Sequence, residues 1–593
     1  MQLVPHGPDV PDDLLRAHEE GRVVFFCGAG ISCAAGLPTF KKMVRRIFRA
    51  FHTGMEPDER EAFSNKRYDV ALGLLEKRLQ DDHLGLRDVL PRLLRPQLVN
   101  DETLKTHDAL LHLGRTPSGT LRLVTTNFDD LFETAAARSG IPCPFYSAPT
   151  LPLPLPRCWD GLVYLHGKLH ENPTPFETAN LILTDGDFGR AYLMEGWAAR
   201  FTSMLLHNCE VCFIGYSIED QVVRYMLDAL DSDKRQGLST RRVWAFRDNE
   251  SPCDNWVRRG VTPIVYSVEN EHLALHRTLH EWARLYKGDT SAKIEIVEQT
   301  ANRSPVQSGP DDDFAGRLLW ALSDRSGLPL KQFTSMEPPP SLEWFRRFKP
   351  LLPEADDKVA RKRWNHAIDS LSPWLLRYAN DERLIAWFAK EGGRVSPAFR
   401  DQMEKLLYGV SPATPFDKRT RILWRLLLTG RMARLEPDIA SIGLCLDRIK
   451  RDGARPSLQM ELRGLLAPYV RPAESTGEAL RSPFGVNWEV ALPVDDFPAR
   501  FEARDFPVSL RAGLFDTLET ILRDALGLCD ELAQATGAGK EGLHSACGEL
   551  AALVRDSWNA LSKTDPRHAL HAKDRWESIS HPLFGEMAAA SMK

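Results

Sequence analysis

Six short runs of β-branched and aromatic residues, separated by stretches of helical character, constrain the fold of this chain more than any other feature. They are RVVFFC (22–27), LRLVTT (121–126), LVYLH (162–166), EVCFIG (210–215), RVWAF (242–246) and PIVYS (263–267). Near-continuous apolarity marks strands buried on both faces, and alternation with helices marks a parallel sheet covered by helices. The predicted fold class is therefore α/β: a Rossmann-like parallel sheet with a helical insertion, followed by a mostly α-helical C-terminal domain. The insertion, about 41–114, is too long for a simple crossover. The passage SAPTLPLPLPRCWDG (147–161) is expected as extended loop, because proline cannot donate to a ladder.

At 593 residues the chain exceeds one domain's usual size, so at least two cored units are expected. The predicted division is an α/β domain at 1–287, a polar linker at 288–314 and a mostly helical domain at 315–593. In the last, Leu514, Leu518, Ile521, Ala525 and Leu528 recur at helical spacing, as do Leu543, Cys547, Leu550, Val554, Trp558 and Leu561. Nine of the 14 tryptophans lie at 320 or beyond and read as core packing; NWEVALPV (487–494) is the one extended piece expected there.

Composition excludes several classes. Hydrophobic residues make up 43% and charged residues 26%, and no stretch approaches the roughly 18 apolar residues of a membrane span. The amino terminus lacks the basic-then-apolar pattern of a signal peptide, and ten scattered cysteines fit a reducing compartment, so a cytoplasmic location is expected. A net charge of −5 gives no indication of direct nucleic-acid binding. No P-loop pattern occurs, and His568 with His571 read as surface residues.

The candidate chemistry sits where strands end. After the first run, Gly28 and Gly30 permit a tight turn and Ser32 stands near a helix start, an arrangement suited to an anion. With Gly36 the spacing is G-x-G-x5-G, which departs from the dinucleotide fingerprint, so the turn is also readable as only a turn. The second run ends in VTTNFDD with Asn127 and Asp129, the third in YLHGKLH with His166, the fourth in FIGYSIED with Gly215 and Ser217. Singly, Asn127 and Asp129 could cap the next helix and His166 could be a core histidine. Together they mark the carboxyl edge of a parallel sheet, where ligands bind.

GAGISCAAGLPTF, TNFD, HG and GYS, in that order, resemble the sirtuin (silent-information-regulator) family over about residues 10–285. The resemblance implies binding of NAD and cleavage of its nicotinamide–ribose bond. It assigns Gly28, Ala29, Gly30 and Ser32 to the NAD phosphates and adjoining ribose, with Gly36 and Phe40 in the same cofactor-binding stretch. Asn127 and Asp129 fall beside the nicotinamide ribose, His166 at the general base, and Gly215 with Ser217 at the loop touching ribose and phosphate. Asp129 could hydrogen-bond the nicotinamide carboxamide or fix its loop. His170 is the alternative base.

Departures redirect the expectation. Deacylating sirtuins carry two C-x-x-C pairs of a zinc ribbon between the histidine and the last glycine–serine loop; here Cys209 and Cys212 form one pair at a strand start, so no zinc is expected. The family's I-P-D-F-R becomes Leu37-Pro38-Thr39-Phe40-Lys41, and NLILTDGDFGRAYL (180–193) occupies the ribbon's place. The chain looks closer to prokaryotic sirtuin-like NAD hydrolases of antiviral defence. That resemblance implies a homo-oligomer, with a separate ring-forming ATPase or another defence sensor as partner. The alternatives are a sirtuin-like ADP-ribosyltransferase or deacylase, and a non-catalytic NAD- or ADP-ribose-binding subunit.

Overall fold

The computed structural model of the protein describes residues 1–79, 85–96, 99–156, 158–170, 173–216, 241–250, 254–348, 358–408, 416–432, 439–472, 486–491, 508–536 and 547–590. The chain divides into two compact units, Met1–Phe333 and Thr334–Lys593.

All six apolar runs of the first unit are strands: β1 (Val23–Cys27), β2 (Arg122–Thr125), β4 (Gly161–Tyr164), β5 (Glu210–Ile214), β6 (Val243–Asp248) and β7 (Thr262–Tyr266). A seventh, β3 (Phe145–Ser147), completes a sheet of order β3-β4-β2-β1-β5-β6-β7, parallel at every pairing. Every residue of β1, β2, β4 and β5 is buried, as helices on both faces require. One face packs Phe26, Val124, Val163 and Phe213 on Phe201 and Leu205 of the helix Trp197–Asn208. On the other, Phe25 meets Trp282 edge-on at 5.5 Å.

Growth of the sheet reverses between β1 and β5, and there the two following turns press together. A Cβ added at Gly30 would stand 2.9 Å from Gly215 Cα, and one at Gly28 would stand 2.8 Å from Gly215 O. The Gly28 and Gly30 amides donate to Ile214 O (2.9 Å) and Gly215 O (3.1 Å). Gly215 itself has φ +73°, which favours glycine.

The expected insertion is helical, including Phe40–Ala50, Pro57–Ser64, Tyr68–Arg78 and Asp101–Leu113. Its apolar faces do not form a separate core. Met43, Val44, Ile47, Leu72 and Leu90 pack with Phe128, which follows β2, and with Leu169, Leu181 and Leu183, which follow β4. Burial of the insertion thus clamps both loops that carry the candidate chemistry.

The expected linker at 288–314 is largely folded. The helix Glu269–Thr300 runs through its first half, followed by Phe314–Leu322. Within that stretch Ala292 and Ile296, and Val297 and Ala301, are buried at four-residue spacing. Lys293 joins Glu19 (2.8 Å) and Asp324 (2.9 Å) with its Nζ over the Trp320 ring. Polar residues between these positions hide the stripe in the sequence, and the unit boundary falls at 333/334 rather than at 287 and 315.

The second unit is mostly helical, as expected. Val508–Thr536 and Gly548–Thr564 carry the two predicted stripes, apart from Cys547, which caps the second helix, and Leu543, which lies outside the described residues. Trp488–Ala491 pairs antiparallel with Tyr469–Pro472. The tryptophans are core: Trp374 donates to Pro340 O (2.7 Å), Trp424 to Ala379 O (2.6 Å), and Trp364 stacks on Trp387 at 5.6 Å. Among the described residues no helix is long and apolar enough to cross a membrane.

The glycine contact gives a test. Gly215→Ala would place a Cβ 3.0 Å from both Gly28 O and Ile31 N at positive φ. Its urea midpoint is expected to fall by the equivalent of about 1–3 kcal/mol. Gly189→Ala, whose Cβ meets nothing within 4 Å, should lower it far less.

Candidate active site

Parallel pairing places the candidate residues at one level. Cys27 lies beside Thr125, and Thr125 beside Tyr164, so Asn127 and His166 stand two residues beyond adjacent strand ends. Both are buried, at 7% and 6% exposure. The Asn127 amide donates to Thr125 Oγ1 (3.1 Å), which turns the chain sharply off β2. After β4, Gly167 takes φ +90°, and Ile182 N donates to His166 O (3.0 Å), tying the base candidate to the segment 180–194.

Ser32 is the centre of a polar cluster. Its hydroxyl donates to Asp129 Oδ2 (3.0 Å), accepts from Asn127 Nδ2 (3.1 Å), and lies 3.3 Å from His107 Nε2. Asn127 Nδ2 also donates to Gly28 O (3.3 Å), and Leu131 N donates to Asp129 Oδ1 (3.3 Å). Ser32 is only 1% exposed, and its side chain joins these protein groups to one another. The glycine amides are likewise spent on the β5 side, and Ala29, half-buried, is the amide left at the start of the helical turn Ala29–Ala35. Gly36 closes that turn at φ +82°. Phe40 begins the next helix, its ring edge-on to Tyr68 at 6.1 Å in the insertion core.

His166 Nε2 lies 3.1 Å from the Tyr192 hydroxyl, and Phe188 meets its ring edge-on at 5.4 Å. Both aromatics come from 180–194, where Asp187 accepts from Leu183 N (3.0 Å), Thr184 N (2.9 Å) and Thr184 Oγ1 (3.0 Å) and pairs with Arg87 of the insertion. Gly189–Met194 is a π-helical turn, which aims Tyr192 inward while Leu193 and Met194 stay exposed. His170, the alternative base, instead pairs with Glu177 at 3.2 Å, its side chain 40% exposed. Gly215 is in place, whereas Ser217 lies outside the described residues.

Burial sets the protonation states. It lowers His166 to about 3, well below the ordinary imidazole value expected from sequence, and His107 likewise to about 3. Both rings are neutral at physiological pH. Asp129 is pushed up to about 6 by burial, against the Ser32 hydrogen bond that lowers it. Sequence reasoning missed His107, Tyr192 and Tyr216, whose hydroxyl lies 2.6 Å from Thr126 Oγ1. Tyr216 stands in the GYS motif and Tyr192 in the 180–193 segment, so their neighbourhoods were in view, whereas His107 reaches the site from 75 residues away and no spacing signal marks it.

The donor set fits a ligand bearing hydroxyls and phosphate. Asn127 Oδ1 has no hydrogen bond among the described residues, Asp129 is a half-buried acceptor, and the Ala29 amide is a donor at a helical start. Among the described residues no group of three or more His, Cys, Asp or Glu side chains is placed to hold a metal ion.

A parallel sheet with polar residues gathered at the carboxyl ends of β1, β2 and β4 defines an open α/β ligand-binding domain. Residues 121–264 match the model of the SIR2-like domain, from β2 into β7; the β1 turn precedes the match. This likeness supports an NAD-related function. The uncharacterized protein y4cA of Sinorhizobium fredii is 30% identical over 443 residues, covering 73% of this chain and 35% of that protein. The chain therefore spans about a third of the length of this curated relative.

Asp129 generates a pH prediction. Its folded value of about 6 exceeds the ordinary 3.8, so between these values the native state binds the extra proton and stability falls as pH rises. Asp129→Asn should therefore be more stable than the native protein at pH 8 by ~1 kcal/mol, after allowance for partial exposure, with the gain vanishing below pH 4. Thermal unfolding at the two pH values measures it.

Proposed function

We propose that the protein hydrolyses NAD at the nicotinamide–ribose bond, giving nicotinamide and ADP-ribose. The observation that carries the reading is the placement of Asn127 and His166 at one register level on adjacent parallel strands, beside the β1 glycine turn. Phosphate binding alone would need neither residue.

Each side chain has a role its geometry supports. Asn127, fixed through Nδ2, offers Oδ1 to orient a ribose hydroxyl or the attacking water. His166 is neutral and able to take the proton from that hydroxyl or water as nicotinamide leaves. Burial makes it a weak base in the resting protein, and positive charge developing on the sugar acidifies the hydroxyl or water whose proton it takes. Asp129 also holds its loop through Ser32 and Leu131, which favours the loop-fixing role over contact with the carboxamide. Tyr192 and Phe188 cover His166 from the segment standing where a deacylase has its ribbon, which supports water over a protein lysine as acceptor.

In this reading the activity serves antiphage defence by NAD depletion once triggered, and the helical second unit serves assembly or docking to a sensor such as a separate ring-forming ATPase. The support is the resemblance of the motifs and the need to restrain an enzyme that empties a cell of NAD.

His166→Ala and Asn127→Ala are each expected to lower nicotinamide release about 100-fold or more while leaving the fold intact, as circular dichroism would show. Wild-type turnover by purified His166→Ala would remove the assignment of the base.

A further inference from the structure

The Ser32 hydroxyl has one hydrogen and two lone pairs. The hydrogen goes to Asp129 Oδ2, 3.0 Å away, and one lone pair receives Asn127 Nδ2 at 3.1 Å. The second lone pair faces His107 Nε2 at 3.3 Å. A hydroxyl already donating can only accept from that nitrogen, so Nε2 must carry the ring proton. His107 Nδ1 is then a bare acceptor, and it is buried without a hydrogen-bond partner among the described residues. The ring is fully buried, with Phe132 edge-on at 4.9 Å.

The helix that carries His107 is held at its start and along its flank. Asn100 caps the helix Asp101–Leu113 by accepting from Thr103 N (2.9 Å). Thr106 Oγ1, next to His107, lies 2.8 Å from His276 Nδ1 and 3.1 Å from His280 Nε2 of Glu269–Thr300.

Consequences reach Asn127. Both of its Nδ2 hydrogens are used, on Ser32 Oγ and Gly28 O, so a flipped amide would face two oxygens with a third. Withdrawing the His107 donor leaves a buried Ser32 lone pair unsatisfied and removes one of the three partners that fix the Ser32 side chain, so the Asn127 amide loses a fixed acceptor. We propose that His107, acting through Ser32, is a positioning residue that fixes the Asn127 amide with Oδ1 turned toward the ligand. The kinetic part of this inference rests on the NAD-hydrolase reading; the tautomer and the Ser32 contact do not.

The full-length protein is tested in two ways. In nicotinamide-release assays with NAD, His107→Leu should lower kcat about tenfold with KM changed less than about threefold, the scale of one well-placed hydrogen bond. His107→Gln, which returns an N–H donor, should recover most of that loss. Combining His107→Leu with Ser32→Ala should cost little beyond either alone, because both break one chain. In parallel, nuclear magnetic resonance of isotope-labelled histidine, assigned by the His107→Gln spectrum, should show His107 neutral with the proton on Nε2, and Ser32→Ala should move its resonances. An unaltered kcat in His107→Leu, a Gln variant no better than Leu, or additive losses would overturn the proposal. If the wild type leaves NAD intact, the function reading fails on its own and the spectra decide: Nε2–H with a Ser32-dependent shift supports the positioning contact, and Nδ1–H or an unmoved resonance overturns it.

Discussion

Two turns that touch backbone to backbone, Gly28–Gly30 after β1 and Gly215 after β5, are the constraint on which the rest of the N-terminal unit depends. They meet where the sheet reverses its growth, and no side chain fits between them. Because their amides and carbonyls satisfy one another, the β1 turn is held at one height. Gly28 O can then receive Asn127 from β2, and Ser32 can stand within reach of Asn127, Asp129 and His107. Glycine thus admits a neighbouring strand's loop at this turn.

The cluster built on this contact is costly to the fold and suited to chemistry. His107 and His166 are kept neutral by burial, and Asp129 is held near its titration point by the same cause. Their cost is offset by the insertion, whose apolar faces close over Phe128 on one loop and Leu169 on the other. Removing the insertion would uncover the loops that hold Asn127 and His166, so it belongs to the site as much as to the core.

Much of this was legible in the sequence, for physical reasons. Strands buried on both faces leave unbroken apolar runs, and ligand sites of parallel sheets sit at strand ends, so the six runs and the residues after them could be read directly. β3 could not: it has three residues, follows a proline, and leaves Phe145 exposed at the sheet edge. The helix Glu269–Thr300 was hidden because its buried stripe in the second half is narrow and includes Lys293, an amphipathic side chain paired at both partners. The role of Ser32 and the existence of His107 in the site depend on a contact across 75 residues, which local pattern does not carry. The lowered value of His166 likewise follows from tertiary burial, not from its neighbours in sequence.

In the proposed reaction this constellation directs water onto the nicotinamide-bearing carbon of NAD. The most direct test is product analysis of NAD incubated with the full-length protein in heavy-oxygen water. Hydrolysis yields one free nicotinamide for each ADP-ribose, with a single heavy oxygen in the ADP-ribose. ADP-ribose linked to protein, or NAD consumed without label in the product, would contradict it.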